Sequence, residues 1–218
     1  MTEAGTSCAR ERFLVIGMSH VEALARGMTD DWRNQFHIVN LNRDKTLLDM
    51  ASETFFVDRI PAAGVHVNHL VLSLGGNYHN VFGMIENPVP FRVGVPVVGS
   101  VPLEDARIFL PRDLVFAQFA IRFEKLFRLG NVIRRHYSDA TLTYLCPPPP
   151  IGDETHLRAN PGVFAEFLHL GFAPRELRLA LYRIQVEVMM GYAHKQGACF
   201  LPPPPATVDV HGFLMRDF

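Results

Sequence analysis

The sequence predicts an α/β domain of three layers, α/β/α, built on a five-stranded parallel sheet. Three observations carry this. Short apolar runs end abruptly at glycine, asparagine or proline, long amphipathic segments separate most of them, and crossover helices are what return a chain to the same end of a parallel sheet. The length of 218 residues is that of a single domain, 1–218, and 48% hydrophobic against 20% charged residues supplies one sizeable core.

The first strand is read at Phe13-Leu14-Val15-Ile16, closed by Gly17, and a helical pattern runs from about His20 to Trp32. A second run, Phe36-His37-Ile38-Val39, leads into the polar stretch Asn40 to Asp44. A third, Leu70 to Leu74, stops at Gly75-Gly76. Residues 86–112, rich in Pro, Gly and Val, fit no crossover helix and read as an inserted loop or hairpin beside the top of the sheet. From Asp113 to His136 the phenylalanines 116, 119, 123 and 127 recur at helical spacing. The Arg128, Arg134, Arg135 cluster near the end complements the helix dipole and requires no ligand. The fourth strand, Leu142 to Leu145, is cut off by Pro147 to Pro150. A last helix carries the stripe Leu177, Leu181, Ile184, Val188, with Pro174 in its first turn and Gly197 just past its end. The fifth strand, Ala198 to Leu201, is ended by Pro202 to Pro205, because proline cannot donate to a sheet ladder.

Composition removes whole classes of function. With 21 Lys plus Arg against 22 Asp plus Glu the net charge is -1, so the chain lacks the basic excess that nucleic acid binding draws on. No apolar run reaches a membrane span and the start has no signal-type segment, so a cytoplasmic protein without a membrane partner is expected. Cys8, Cys146 and Cys199 form no C-x-x-C, and His66, His69 and His79 have no carboxylate at ligand spacing, so neither a disulfide nor a metal is expected. Gly5, Gly17 and Gly27 make no phosphate-cradling motif, and no cofactor is expected. Cys146 has no basic neighbour in sequence and reads as a small buried hydrophobe.

In open α/β sheets ligands bind beyond the carboxyl ends of the strands, which directs attention to the residues just after each run. After the first strand, Gly17-Met18-Ser19-His20 places a hydroxyl and its own amide at a tight strand-to-helix turn, a geometry suited to a nucleophile. A helix N-cap is the plain structural use of the same serine. After the third strand, Gly75-Gly76-Asn77-Tyr78-His79 combines close backbone approach with a side-chain amide donor; an ordinary turn would use the same residues.

Gly-Met-Ser-His after the first strand and Gly-Gly-Asn after the third resemble the first and third blocks of the SGNH hydrolases, the GDSL-type esterases and lipases. The resemblance implies a flavodoxin-like sheet, Ser19 as nucleophile and Asn77 as an oxyanion donor, with Gly17, His20, Gly76 and His79 lining the substrate site. It implies an ester substrate, a small molecule or a carbohydrate, and a histidine to carry the proton. Three departures stand out. Met18 replaces the family's aspartate, and no glycine between Asn40 and Thr46 supplies the second-block donor, Gly64 lying late. In the last block the family has an aspartate and a histidine three residues on, whereas Asp209 and His211 are two apart and the sequence stops at Phe218. The sequence therefore reads as one cut before its catalytic Asp-x-x-His, with His211 the base in an altered arrangement as the other reading. A non-catalytic carbohydrate- or partner-binding module on the same fold is the competing function.

Overall fold

Each apolar run of the sequence pairs in parallel with its neighbours. Apart from a two-residue antiparallel pair, Leu48–Asp49 with Thr54–Phe55, the strands in chain order are β1 (Phe13–Gly17), β2 (Phe36–Asn40), β3 (His69–Ser73), β4 (Phe91–Gly94), β5 (Ile108–Pro111), β6 (Thr141–Leu145) and β7 (Cys199–Leu201). The helices are α1 (His20–Gly27), α2 (Asp30–Arg33), α3 (Tyr78–Gly83), α4 (Arg112–His136), α5 (Glu154–Ala159) and α6 (Arg175–Lys195). These come from a computed structural model that describes residues 12–43, 47–49, 54–55, 60, 66–94 and 107–215. The main sheet has five strands, all parallel, in the order β2-β1-β3-β6-β7, with helices against it: the α/β architecture and flavodoxin-like order that the sequence predicts.

Alternation along the strands separates two faces. Leu14 and Ile16 of β1 share a face with Leu70 and Leu72 of β3 and with Leu142 and Tyr144 of β6, and all six are buried against Leu129, Val132 and Ile133 of α4. The other face carries Val15, Val71 and Thr143 in one row. Here α1 covers β1, with Val21 fully buried. Toward the β7 edge the same face opens: Thr143 and Leu145 are half-buried, and Thr141, Cys199 and Leu201 are exposed.

A second apolar cluster joins α4 to α6 through Phe119, Phe123, Leu181 and Val188, with Phe116 and Phe127 half-buried at its edge. The phenylalanine stripe is therefore core. At the end of α4, Arg134 donates to the carbonyls of Tyr137 and Ala140, both at 2.6 Å, so this arginine closes its own helix terminus.

Three expectations are corrected. The helical pattern from His20 to Trp32 is two helices: the chain is extended at Met28 (ψ 133°) and Thr29 (ψ 162°), between Gly27 and the acidic first turn of α2. Glycine weakens the helix where Thr-Asp-Asp favours starting another. The 86–112 insertion is no hairpin, because β4 and β5 pair in parallel and pack on α4 and α6. A parallel pair requires a long connection, here 95–106, which lies outside the described residues. Arg107 closes the base of the insertion with a bidentate grip on Glu86 at 2.6 and 3.1 Å, which holds the Glu86 carboxyl below its usual range. Pro174 stands one residue before α6 rather than inside its first turn.

Candidate active site

The strand order reverses between β1 and β3, since the chain leaves β1 toward β2 and returns on the other side of β1. A crevice opens beyond the strand ends at such a point. Gly17 is in register with Ser73, so the turn after β1 and the loop after β3 leave the sheet side by side, and Met18 N–H donates to the Ser73 carbonyl at 3.4 Å. Position 17 has no room for a side chain: a Cβ would stand 2.5 Å from Val21 Cγ1 and 2.7 Å from the Ser73 carbonyl oxygen. Glycine here lets α1 start directly over the sheet end.

Ser19 occupies the N-cap position of α1 and is exposed, yet its side chain makes no capping hydrogen bond. Its backbone carbonyl accepts the first helical bond, from Glu22 N–H at 3.1 Å. The hydroxyl is thus not used in capping, and the Ser19 amide sits among the helix-start N–H groups that have no intrahelical acceptor. At the end of β2, Asn40 donates to Glu22 at 2.6 Å, and Arg43 pairs with the same carboxylate at 2.5 Å.

The loop after β3 takes its shape from Gly75 (φ +105°) and Gly76 (φ +46°), left-handed conformations that suit glycine. Asn77 follows as the N-cap residue of α3, with its side-chain carbonyl oxygen buried and unpartnered, as is that of Asn80. Behind the loop stands Gln185 of α6, which is completely buried. Its Nε2 donates to the Gly76 carbonyl at 2.8 Å, and its Oε1 accepts from His79 N–H at 2.8 Å and lies 3.1 Å from His79 Nδ1. Sequence reasoning passed over Gln185. The signal was a lone amide on the buried side of α6, one turn beyond Leu181.

His79 is buried, its ring edge-on to Tyr182 with centroids 5.1 Å apart. Burial holds its pKa down to about 4; the Gln185 bond opposes this, and the nearby His20 ring adds to it. His20 is itself shifted down by burial. Both imidazoles are therefore neutral at neutral pH. Met18 and Tyr78 join the site to the second apolar cluster, Tyr78 edge-on to Phe123 at 5.2 Å and covered by the Arg122 guanidinium at 5.7 Å.

The structure brings Gly17, Ser19, His20, Gly76, Asn77 and His79 to one end of two adjacent strands. His211 belongs to a different neighbourhood. It lies exposed in a turn that Asp209 closes, the carboxylate Oδ1 accepting from the N–H groups of Phe213 and His211, both at 2.9 Å. These bonds hold the Asp209 carboxyl below its usual range. A Cβ on Gly212 would face Leu179 and Arg183 of α6, a different face of that helix from the one that carries Gln185. Asp209 also lines a cleft of about 510 Å³ with Gly152, Glu154, Arg175 and Phe213.

His66 and His69 lie at the opposite end of β3 from His79, with His69 stacked on Phe13 at 4.4 Å. Among the described residues no group of three or more His, Cys, Asp or Glu is placed to hold an ion, and no helix is long and apolar enough to cross a membrane. Cys146 is partly buried beside the Tyr182 hydroxyl at 3.3 Å, and burial pushes its thiol up to about 11. Gly64, Cys8 and Asp44 to Thr46 lie outside the described residues. Compared with known proteins, the chain matches no family model and no curated sequence.

Proposed function

We propose that this protein is an SGNH-like serine hydrolase that cleaves an ester, removing an acyl or acetyl group from a small molecule or a carbohydrate. The observation that supports this most is the register of Gly17 with Ser73, which sets an uncapped serine hydroxyl beside a glycine-rich loop bearing an asparagine amide. In this reading Ser19 Oγ attacks the acyl carbonyl carbon while a histidine takes its proton. The carbonyl π electrons move onto oxygen, and the oxyanion is met by the Ser19 amide and the Asn77 side chain. Collapse expels the alcohol with that proton, and water then releases the acid from the acyl-serine. His20, His79 and His211 are the histidines to test as base, by single substitution. A non-catalytic binding module draws support from one fact, that burial weakens His20 and His79 as proton acceptors.

Turnover of a short-chain nitrophenyl ester separates the two. Asn77→Ala is expected to lower kcat by about 10² to 10³ with little change in KM, because the oxyanion it meets exists only in the transition state. An unchanged kcat would make Asn77 a turn residue. No turnover, with a carbohydrate ligand bound nonetheless, would make the protein a binding module.

A further inference from the structure

Both ends of the Gln185 side chain are committed by backbone groups that cannot exchange roles. The Gly76 carbonyl can only accept, so the atom 2.8 Å from it is the amide nitrogen; the His79 N–H can only donate, so the atom 2.8 Å from it is the amide oxygen. The amide therefore sits one way round, and that oxygen also lies 3.1 Å from His79 Nδ1. An acceptor there requires a proton on Nδ1. His79 Nε2, buried and without a partner, is then the bare nitrogen of the neutral ring. This reverses the usual preference of a histidine in water, whose neutral ring carries its proton mostly on Nε2.

We propose that Gln185 is a positioning residue of the site: it ties the Gly76–His79 loop to α6 and locks His79 as the Nδ1–H tautomer, leaving Nε2 as the bare nitrogen of the ring. Its catalytic meaning rests on the serine hydrolase reading above; the tautomer does not. One amide joins the loop that bears Asn77 to the buried side of α6, so a displacement of Gln185 moves the donor and the imidazole together. Its place fits that task, since an amide with no exposed surface inside an apolar stripe costs stability unless its bonds are made.

Nitrogen-15 NMR of histidine-labelled protein at neutral pH tests this, with His79 assigned by the signals that vanish in His79→Gln. The wild type is expected to show a protonated Nδ1 and a bare Nε2 at His79. Gln185→Glu keeps an acceptor oxygen and is expected to keep the tautomer; Gln185→Met is expected to lose it. On the ester substrate, Gln185→Met is expected to lower kcat at least tenfold with KM little changed, and Gln185→Glu to recover part of the loss. An Nε2–H tautomer in the wild type would overturn the proposal, and that spectrum does not depend on any variant folding. So would a Gln185→Met protein that folds and retains the Nδ1–H form. The Nδ1–H tautomer in a protein without turnover would leave the tautomer lock standing and overturn the hydrolase reading.

Discussion

A buried imidazole that stays neutral leaves a mark on stability as well as on chemistry. His79 has a pKa of about 4 in the folded chain against an ordinary 6.5, with burial as the main cause. The unfolded chain therefore takes up this proton first as pH falls, and the stabilisation, present in full above about 6.5, is lost between there and about 4. The loss amounts to about 3 kcal/mol. Urea unfolding of the wild type and of His79→Gln across this range measures it, because the other titrating groups are common to both. The wild type should lose more stability on acidification than the variant; superimposable pH profiles would contradict the burial of a neutral ring. Ser19, one strand away, is the counterpart: its N-cap position is legible in the sequence, but whether its hydroxyl caps depends on backbone angles (φ −52°, ψ −31°) that no residue pattern encodes.

Elements are held to one another here by a few directional contacts laid over broad apolar ones. The first half of α6 is pinned by Arg178, a residue with 1% of its surface exposed, which donates to the Ile151 carbonyl at 3.0 Å and to Glu154 of α5 at 3.1 Å. Glu154→Ala would leave part of a buried guanidinium without an acceptor, at a cost of about 1 to 3 kcal/mol. Denaturant titration should show that loss, and a change below about 0.5 kcal/mol would mean that water already serves Arg178. The strands and the two long helices were legible because their runs are apolar, well spaced and closed by proline or glycine. The break between α1 and α2 was not, since the apolar spacing continues through Gly27 and only the extended backbone at Met28 and Thr29 interrupts it. The parallel pairing of β4 with β5 was hidden for another reason: strand direction is set by where the connection returns, and proline and glycine content speaks only of turns. Gln185 and Arg178 escaped notice because a polar residue on a buried helix face has meaning only once its distant partners are known.

At the scale of the whole molecule, the sheet is covered unevenly. One face is sealed by α4 and α6, while the other is exposed at Thr141, Cys199 and Leu201 toward the β7 edge. The two described thiols report this directly. Cys199 is exposed on the open face, whereas Cys146 is partly buried with its pKa raised from 9.0 to about 11, which lowers its thiolate fraction about 100-fold. Iodoacetamide at mildly alkaline pH, followed by peptide mapping, should modify Cys199 well before Cys146. Equal rates would mean that the open face is covered in solution. The same architecture gathers Ser19 and Asn77, 58 residues apart in sequence, at the point where strand order reverses. Those two blocks were legible as short motifs after apolar runs. Which histidine meets them was not, because His20 and His79 reach this end of the sheet from separate helices and both are buried enough to be weakened as bases, while His211 lies in a separate turn. The central claim is that Ser19 is a nucleophile and not a helix cap, and a fluorophosphonate probe with peptide mapping tests it most directly. An adduct on Ser19 is predicted, absent in Ser19→Ala, with the variant losing less than about 0.5 kcal/mol of stability because no capping bond is lost. A Ser19→Ala protein that still takes up the probe, or one that loses about 1 kcal/mol as a broken cap would, with no adduct on Ser19 of the wild type, would contradict it.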